Sequence, residues 1–211
     1  IDMAAAYAVF ANQGIYSAPA YVLKVEDQNG KVLEKTTHQT RRVVSAINAS
    51  IITNMLNGVL EPGGTGASLK ARAGRTAAAK TGTTDEYKDA WFVGYTPQLS
   101  CAVWVGYDRN QAVNLAGSVA AGPIWADFIK GASAKLPEQD FGLPVDVTTI
   151  PICLDSGQIA TENCPRPMEM AFEKGTEPEE LCPIHMPDAA WDNNPDDNTP
   201  QPQKNRWWQF W

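Results

Sequence analysis

The sequence predicts an α+β fold, an antiparallel sheet covered by helices, followed by a small cysteine-containing module and a disordered acidic tail. Three observations carry this. Strand-like runs at 77–84, 90–95 and 99–107 follow one another, the last two across a connection too short for parallel pairing. Helical periodicity lies on both sides of them. The composition then changes: of 17 basic and 24 acidic residues, 137–211 hold 4 and 14, with 11 of the 15 prolines, which leaves that part little capacity to bury apolar surface.

The elements follow in order. Met3, Tyr7, Phe10 and Ala11 recur at helical spacing and stop at Gly14, a good helix terminator. Tyr21 to Glu26 alternates, turns at Asn29-Gly30 and returns through Val32-Leu33 as a hairpin. Ser45 is placed to cap a helix whose apolar stripe is Ile47, Ile51, Met55 and Val59, and Pro62-Gly63-Gly64-Thr65-Gly66 ends it as a loop. After the three strands, Pro123 stands in the first turn of a helix whose apolar face is Ile124, Trp125, Phe128 and Ile129. Residues 1–134 therefore read as one domain and 135–151 as a linker. Residues 152–187 form a small extension with a hairpin-like Asp155-Ser156-Gly157-Gln158, and 188–211 a tail. The closing Arg206-Trp207-Trp208-Gln209-Phe210-Trp211 reads either as a segment for a membrane interface or a partner, or as a weakly ordered end.

Some classes are excluded. No basic surface suggests nucleic-acid binding, and no apolar run approaches the eighteen or so residues of a membrane span. The chain opens inside what reads as a helix, without an initiator methionine or a leader pattern, so an anchor is expected upstream.

The chemistry concentrates in Ala77-Ala78-Ala79-Lys80-Thr81-Gly82-Thr83-Thr84. A lysine on a strand edge is commonly a solubility device. Here Thr81 and Thr83 lie two apart and share a face of the strand, and Gly82 lets another backbone approach closely. Such an edge can pair with an extended peptide, bind its carboxylate through Lys80, and offer a backbone N–H to a developing oxyanion. Lys-Thr-Gly is the third signature of penicillin-binding proteins and class A β-lactamases. Glu61–Ala67, Ala79–Thr84, Asp89–Pro97 and Val103–Asp108 together resemble the end of the transpeptidase domain of class A, bifunctional penicillin-binding proteins. Asp2–Ala8 with Phe10-Ala11-Asn12 looks like the preceding helix. More loosely, Ser156–Thr161 and Gly175–Pro178 resemble the C-terminal extension of some members.

The resemblance implies the penicillin-binding/serine β-lactamase-like fold in part. It also implies a serine D,D-transpeptidase that cross-links peptidoglycan stem peptides ending in D-Ala-D-Ala and is acylated by β-lactams, without a cofactor, at the extracytoplasmic face of a bacterial membrane. Lys80 and Thr83 are the implied catalytic residues, and Lys80, Thr81, Gly82, Thr83 and the lesser neighbour Thr84 the substrate-binding ones. Thr83 would also give its N–H to the oxyanion hole. The family's Ser-x-x-Lys and Ser-x-Asn motifs are not in the sequence; they are expected in the upstream remainder of the same protein, together with a glycosyltransferase-like domain. The isolated chain is then expected to be inactive. A β-lactamase-like hydrolase and a non-catalytic β-lactam- or peptide-binding module are the alternatives.

Trp91, Phe92, Trp104 and Trp125 read as core, Asp89 and Asp108 as turn residues, and His38 as solvated surface. Cys101 alternates with Val103 and Val105 and reads as a small buried hydrophobe. Cys153, Cys164 and Cys182 fall in the extension with His185, and Cys182-Pro183-Ile184-His185 has a ligand-like spacing. The compartment implied by the resemblance favours a disulfide over a metal. A Cys164–Cys182 bridge, closing 17 intervening residues, would contribute about 3 kcal/mol in the chain-entropy model. Cys153 can replace either partner, and a structural zinc on three cysteines and a histidine is the alternative.

Overall fold

A computed structural model of the chain describes residues 1–37, 39–109 and 111–186. The expectations for His38 and for the acidic, tryptophan-rich tail from 188 onward lie outside the described residues. The chain divides into two compact units, Ile1–Pro144 and the part from Val145 onward.

In the first unit, α1 (Asp2–Ala11) is followed by β1 (Ile15–Ser17), the hairpin strands β2 (Lys24–Glu26) and β3 (Val32–Lys35), and β4 (Thr40–Arg42), which pairs antiparallel with β1. The Asp27 carboxylate closes the β2–β3 turn by accepting from the N–H groups of Asn29 and Lys31 at 2.8 and 3.0 Å. Helix α2 (Ala46–Asn57) starts as expected: Ser45 Oγ accepts from Asn48 N at 3.0 Å. A glycine-rich loop and the short α3 (Lys70–Ala73) lead into the central sheet, β5 (Ala78–Thr83), β6 (Asp89–Tyr95) and β7 (Ser100–Gly106), antiparallel in the order β5-β6-β7. The short α4 (Gly117–Ala120) and α5 (Gly122–Ala132) complete the unit.

The sheet is covered on both faces. Phe92 of β6 packs against Trp125 of α5, ring centroids 5.0 Å apart, and both are fully buried with Leu60, Leu69 and Ile129. Tyr95 lies three residues on, so its side chain points to the opposite face. There its hydroxyl meets Thr53 Oγ1 of α2 at 2.9 Å and its ring meets Tyr7 of α1 edge-on. Burial pushes the Tyr95 phenol far above its usual range, while the Thr53 bond pulls the other way. The α+β arrangement of an antiparallel sheet covered by helices is thus as the sequence predicts.

Four side-chain expectations change. Helix α2 turns Ala49 and Thr53 into the core, whereas Met55 is 42% exposed. The hydroxyl of Thr53 is buried at little cost because it donates to Ala49 O at 2.8 Å and meets Tyr95, so a polar residue outranks the apolar stripe. On α5, Trp125, Ala126 and Ile129 are buried, but Ile124 and Phe128 face outward. Trp104 is 43% exposed and Trp91 half-buried. Their rings lie side by side on the Tyr95 face, toward the end of the sheet away from the Tyr7–Tyr95 contact. Cys101 does pack against the core, and burial pushes its thiol up.

The second unit takes in the end of the linker expected over 135–151. Residues 147–153 form a strand, β8 (Val147–Cys153), which pairs antiparallel with β9 (Pro167–Glu173) over its full length. Pro151 sits inside β8 because its backbone faces away from β9, and on that side only its carbonyl is used, accepting from Ala160 N at 2.8 Å, so the missing N–H costs no ladder bond. Gly157 N–H donates to Cys153 O at 2.8 Å, closing the turn expected at Asp155–Gln158.

Two glycines give opposite expectations. A Cβ on Gly117 would stand 2.2 Å from Trp91 O and 2.4 Å from Gly82 O, both backbone atoms, whereas one on Gly131 of α5 meets nothing within 4 Å. Gly117→Ala is expected to destabilise the chain by about 1–3 kcal/mol, and Gly131→Ala to stabilise it by roughly 0.5–1 kcal/mol. Urea denaturation of the two variants beside the unchanged chain checks both.

Candidate active site on the outer edge of strand β5

Strand β5 is an edge strand: among the described residues only β6 pairs with it. Its register with β6 sets Lys80 opposite Val93, Thr81 opposite Phe92, Gly82 opposite Trp91 and Thr83 opposite Ala90. Thr84 N–H donates to Asp89 O at 3.1 Å. Successive residues of a strand direct their backbone groups to opposite sides, so the N–H groups of Thr83 and Thr81 face away from β6. The Lys80 ammonium confirms the direction by donating outward-side to Thr81 O at 3.0 Å. The open edge therefore offers two backbone donors and one half-buried cation, which forms no ion pair with a carboxylate among the described residues.

The threonine hydroxyls lie on the Phe92 face, and each has a partner. Thr81 Oγ1 meets Thr65 Oγ1 at 3.0 Å, and Thr83 Oγ1 accepts from Gly117 N at 3.1 Å. Because Thr83 accepts there, its own proton stays free to donate to an anion. The glycine-rich loop presents Thr65, anchored where Glu61 takes a two-pronged bond from Lys70 at 2.6 and 2.7 Å. Gly82 has a cross-strand reason for lacking a side chain, since a Cβ would come within 3.1 Å of Trp91 Cβ.

Thr84 does not join this group. Its hydroxyl accepts from Asp89 N at 2.8 Å and donates to Asp89 Oδ2 at 3.1 Å, while Asp89 Oδ1 accepts from Trp104 Nε1 at 2.8 Å. Thr84 and Asp89 thus close the turn between β5 and β6, the structural part expected for Asp89, and Thr84 has no proton left for a ligand. Thr65 and Gly117 were missed by sequence reasoning. Thr65 stood within the Glu61–Ala67 block, but its meeting with Thr81 depends on how the loop folds back. Nothing in the sequence around Gly117 marks it.

Residues 1–130 match the family model described as the penicillin-binding protein transpeptidase domain. The chain belongs to the penicillin-binding protein transpeptidase family. A second model, the C-terminal domain of penicillin-binding protein 1A, matches residues 143–187. Penicillin-binding protein 1A of Aquifex aeolicus is 37% identical over 184 residues, covering 86% of this chain and 25% of that protein. The crystal structure of penicillin-binding protein 1A from Haemophilus influenzae superposes with a TM-score of 0.75 at 26% identity, over 86% of this chain and 32% of that one. A ceftriaxone acyl-enzyme complex of penicillin-binding protein A from M. tuberculosis superposes with a TM-score of 0.53 at 25% identity, over 61% and 31%. The chain spans about a quarter of the length of the first curated relatives it matches, 25% of each. Among the described residues no helix is long and apolar enough to cross a membrane.

In this transpeptidase-family chain Thr84 holds the β5–β6 turn through Asp89. Thr84→Ala is therefore expected to cost about 1–2 kcal/mol of stability, through two lost hydrogen bonds and an Asp89 carboxylate left short of a donor. The midpoint of urea unfolding, read on the chain with and without the substitution, measures it.

Proposed function

We propose that this chain forms one wall of the active site of a serine D,D-transpeptidase that cross-links peptidoglycan stem peptides and is acylated by β-lactams. The nucleophile and second serine motif come from the remainder of the same protein, which also carries a glycosyltransferase and works at the extracytoplasmic face of a bacterial membrane. The observation that carries the reading is the open edge of β5, where the N–H groups of Thr81 and Thr83 are directed outward and the Lys80 ammonium lies against Thr81 O. A stem peptide pairs along that edge as an added strand. The Lys80 ammonium and the Thr81 and Thr83 hydroxyls hold its carboxylate by charge-assisted bonds. The outward N–H of Thr83 stabilises the oxyanion as the serine attacks the carbonyl. The Lys80 charge favours proton movement between the two serines. The family match at 1–130, with the C-terminal match at 143–187, supports a synthase over a β-lactamase.

The test is acylation of the whole protein by a fluorescent penicillin. Lys80→Ala is expected to slow labelling about a hundred-fold or more, while Lys135→Ala, outside the site, leaves it unchanged. Labelling of Lys80→Ala at the unchanged rate would return the lysine to a solvated strand edge. The chain by itself is expected not to label, and stoichiometric labelling of it would place a nucleophile within these residues.

A further inference from the structure

The second unit has very little to hold it together. Its described part is a two-stranded ribbon and turns, and its buried apolar residues are Val147, Ile152 and Ala171 besides three cysteines. Ribbons of two strands are marginal in water, and domains of about 40 residues commonly need disulfides or metals. The Cys164–Cys182 disulfide expected from the sequence is not formed: Cys153, Cys164 and Cys182 are all free, buried thiols. They gather into one cluster because β8 delivers Cys153, the turn after Ile159 delivers Cys164, and a bridge of Ile159 with Leu181 delivers Cys182.

The fourth member is His185. The three Sγ atoms and a ring nitrogen of His185 all lie within 4.8 Å of one another. Nδ1 stands 3.5 Å from Cys153 Sγ and 3.4 Å from Cys182 Sγ. For Zn–S of about 2.3 Å and Zn–N of about 2.0–2.1 Å, a tetrahedron has S···N edges of about 3.5 Å. The other ring nitrogen, Nε2, faces Asp155 Oδ2 at 3.7 Å, the carboxylate–histidine arrangement that orients a metal-bound imidazole. A backbone donor also points at a sulfur: Thr161 N–H reaches Cys164 Sγ at 3.2 Å. Thr161 Oγ1 donates to His185 O and fixes the end of the loop. Three cysteines can make only one disulfide, which would strand a buried thiol beside a histidine, whereas a metal engages all four donors.

We propose that Cys153, Cys164, Cys182 and His185 bind one structural zinc ion that holds the C-terminal unit folded. With four protein donors and no open position, the site is closed, and its task is stability rather than catalysis. Binding releases the thiol protons and involves no change of oxidation state.

The full chain, purified without chelator or oxidant, is expected to carry one equivalent of zinc by elemental analysis and to release it when the thiols are titrated with a mercurial. Cys101→Ser keeps the metal; Cys164→Ser and His185→Ala lose most of it. As folding of those variants is itself at stake, the unchanged chain is also loaded with cobalt(II). Intense visible d–d bands with a sulfur-to-cobalt charge-transfer band support a tetrahedral thiolate site. Weak octahedral bands, or no cobalt uptake, overturn the proposal. So does zinc retained when Cys153, Cys164 and Cys182 are all replaced by serine, and so does a disulfide joining two of them in the metal-free chain by peptide mapping.

Discussion

The first unit depends on β5 being paired on one side only. Antiparallel pairing with β6 takes the backbone groups of alternate residues and leaves those of Thr81 and Thr83 directed outward. An exposed edge is ordinarily a liability. Here its face toward α5 is tightly filled: Phe92 on Trp125, Thr65 against Thr81, and the backbone of Gly117 against Gly82 and Trp91. Packing behind the strand therefore determines how straight that edge is held. Preorganised donors of this kind need no rearrangement when charge develops beside them.

What was legible in the sequence was local. The three strands of the central sheet, the short connection between the last two, and the Ser45 cap all follow from short-range pattern, and the structure carries each of them. The short connection between β6 and β7, for instance, is closed by Thr96 Oγ1, which accepts from Gln98 N at 3.2 Å and Leu99 N at 3.0 Å. What failed was non-local. The buried face of α2 is chosen by Tyr95, far along the chain, through its bond to Thr53. Thr84 looked like part of a binding run until the β5–β6 turn brought Asp89 to it.

The C-terminal unit shows the same division. Three cysteines and a Cys-x-x-His spacing were plain, but their partners were a matter of topology. The reading of 135–151 as a linker passed over the β-branched run Val147-Thr148-Thr149-Ile150, and β8 tolerates Pro151 because its backbone faces away from β9. A module with so small an apolar core gains order from whatever joins its sulfurs, so the chemistry of that cluster and the fold of the unit are one question.

The outward direction of alternate amides on β5 is the claim on which the functional account rests, and amide hydrogen exchange followed by nuclear magnetic resonance reads it residue by residue. The account predicts fast exchange at Thr81 and Thr83 with slow exchange at Gly82 and Thr84, whose N–H groups face β6. Protection of all four, or protection of Thr81 and Thr83 with exposure of Gly82, would contradict it.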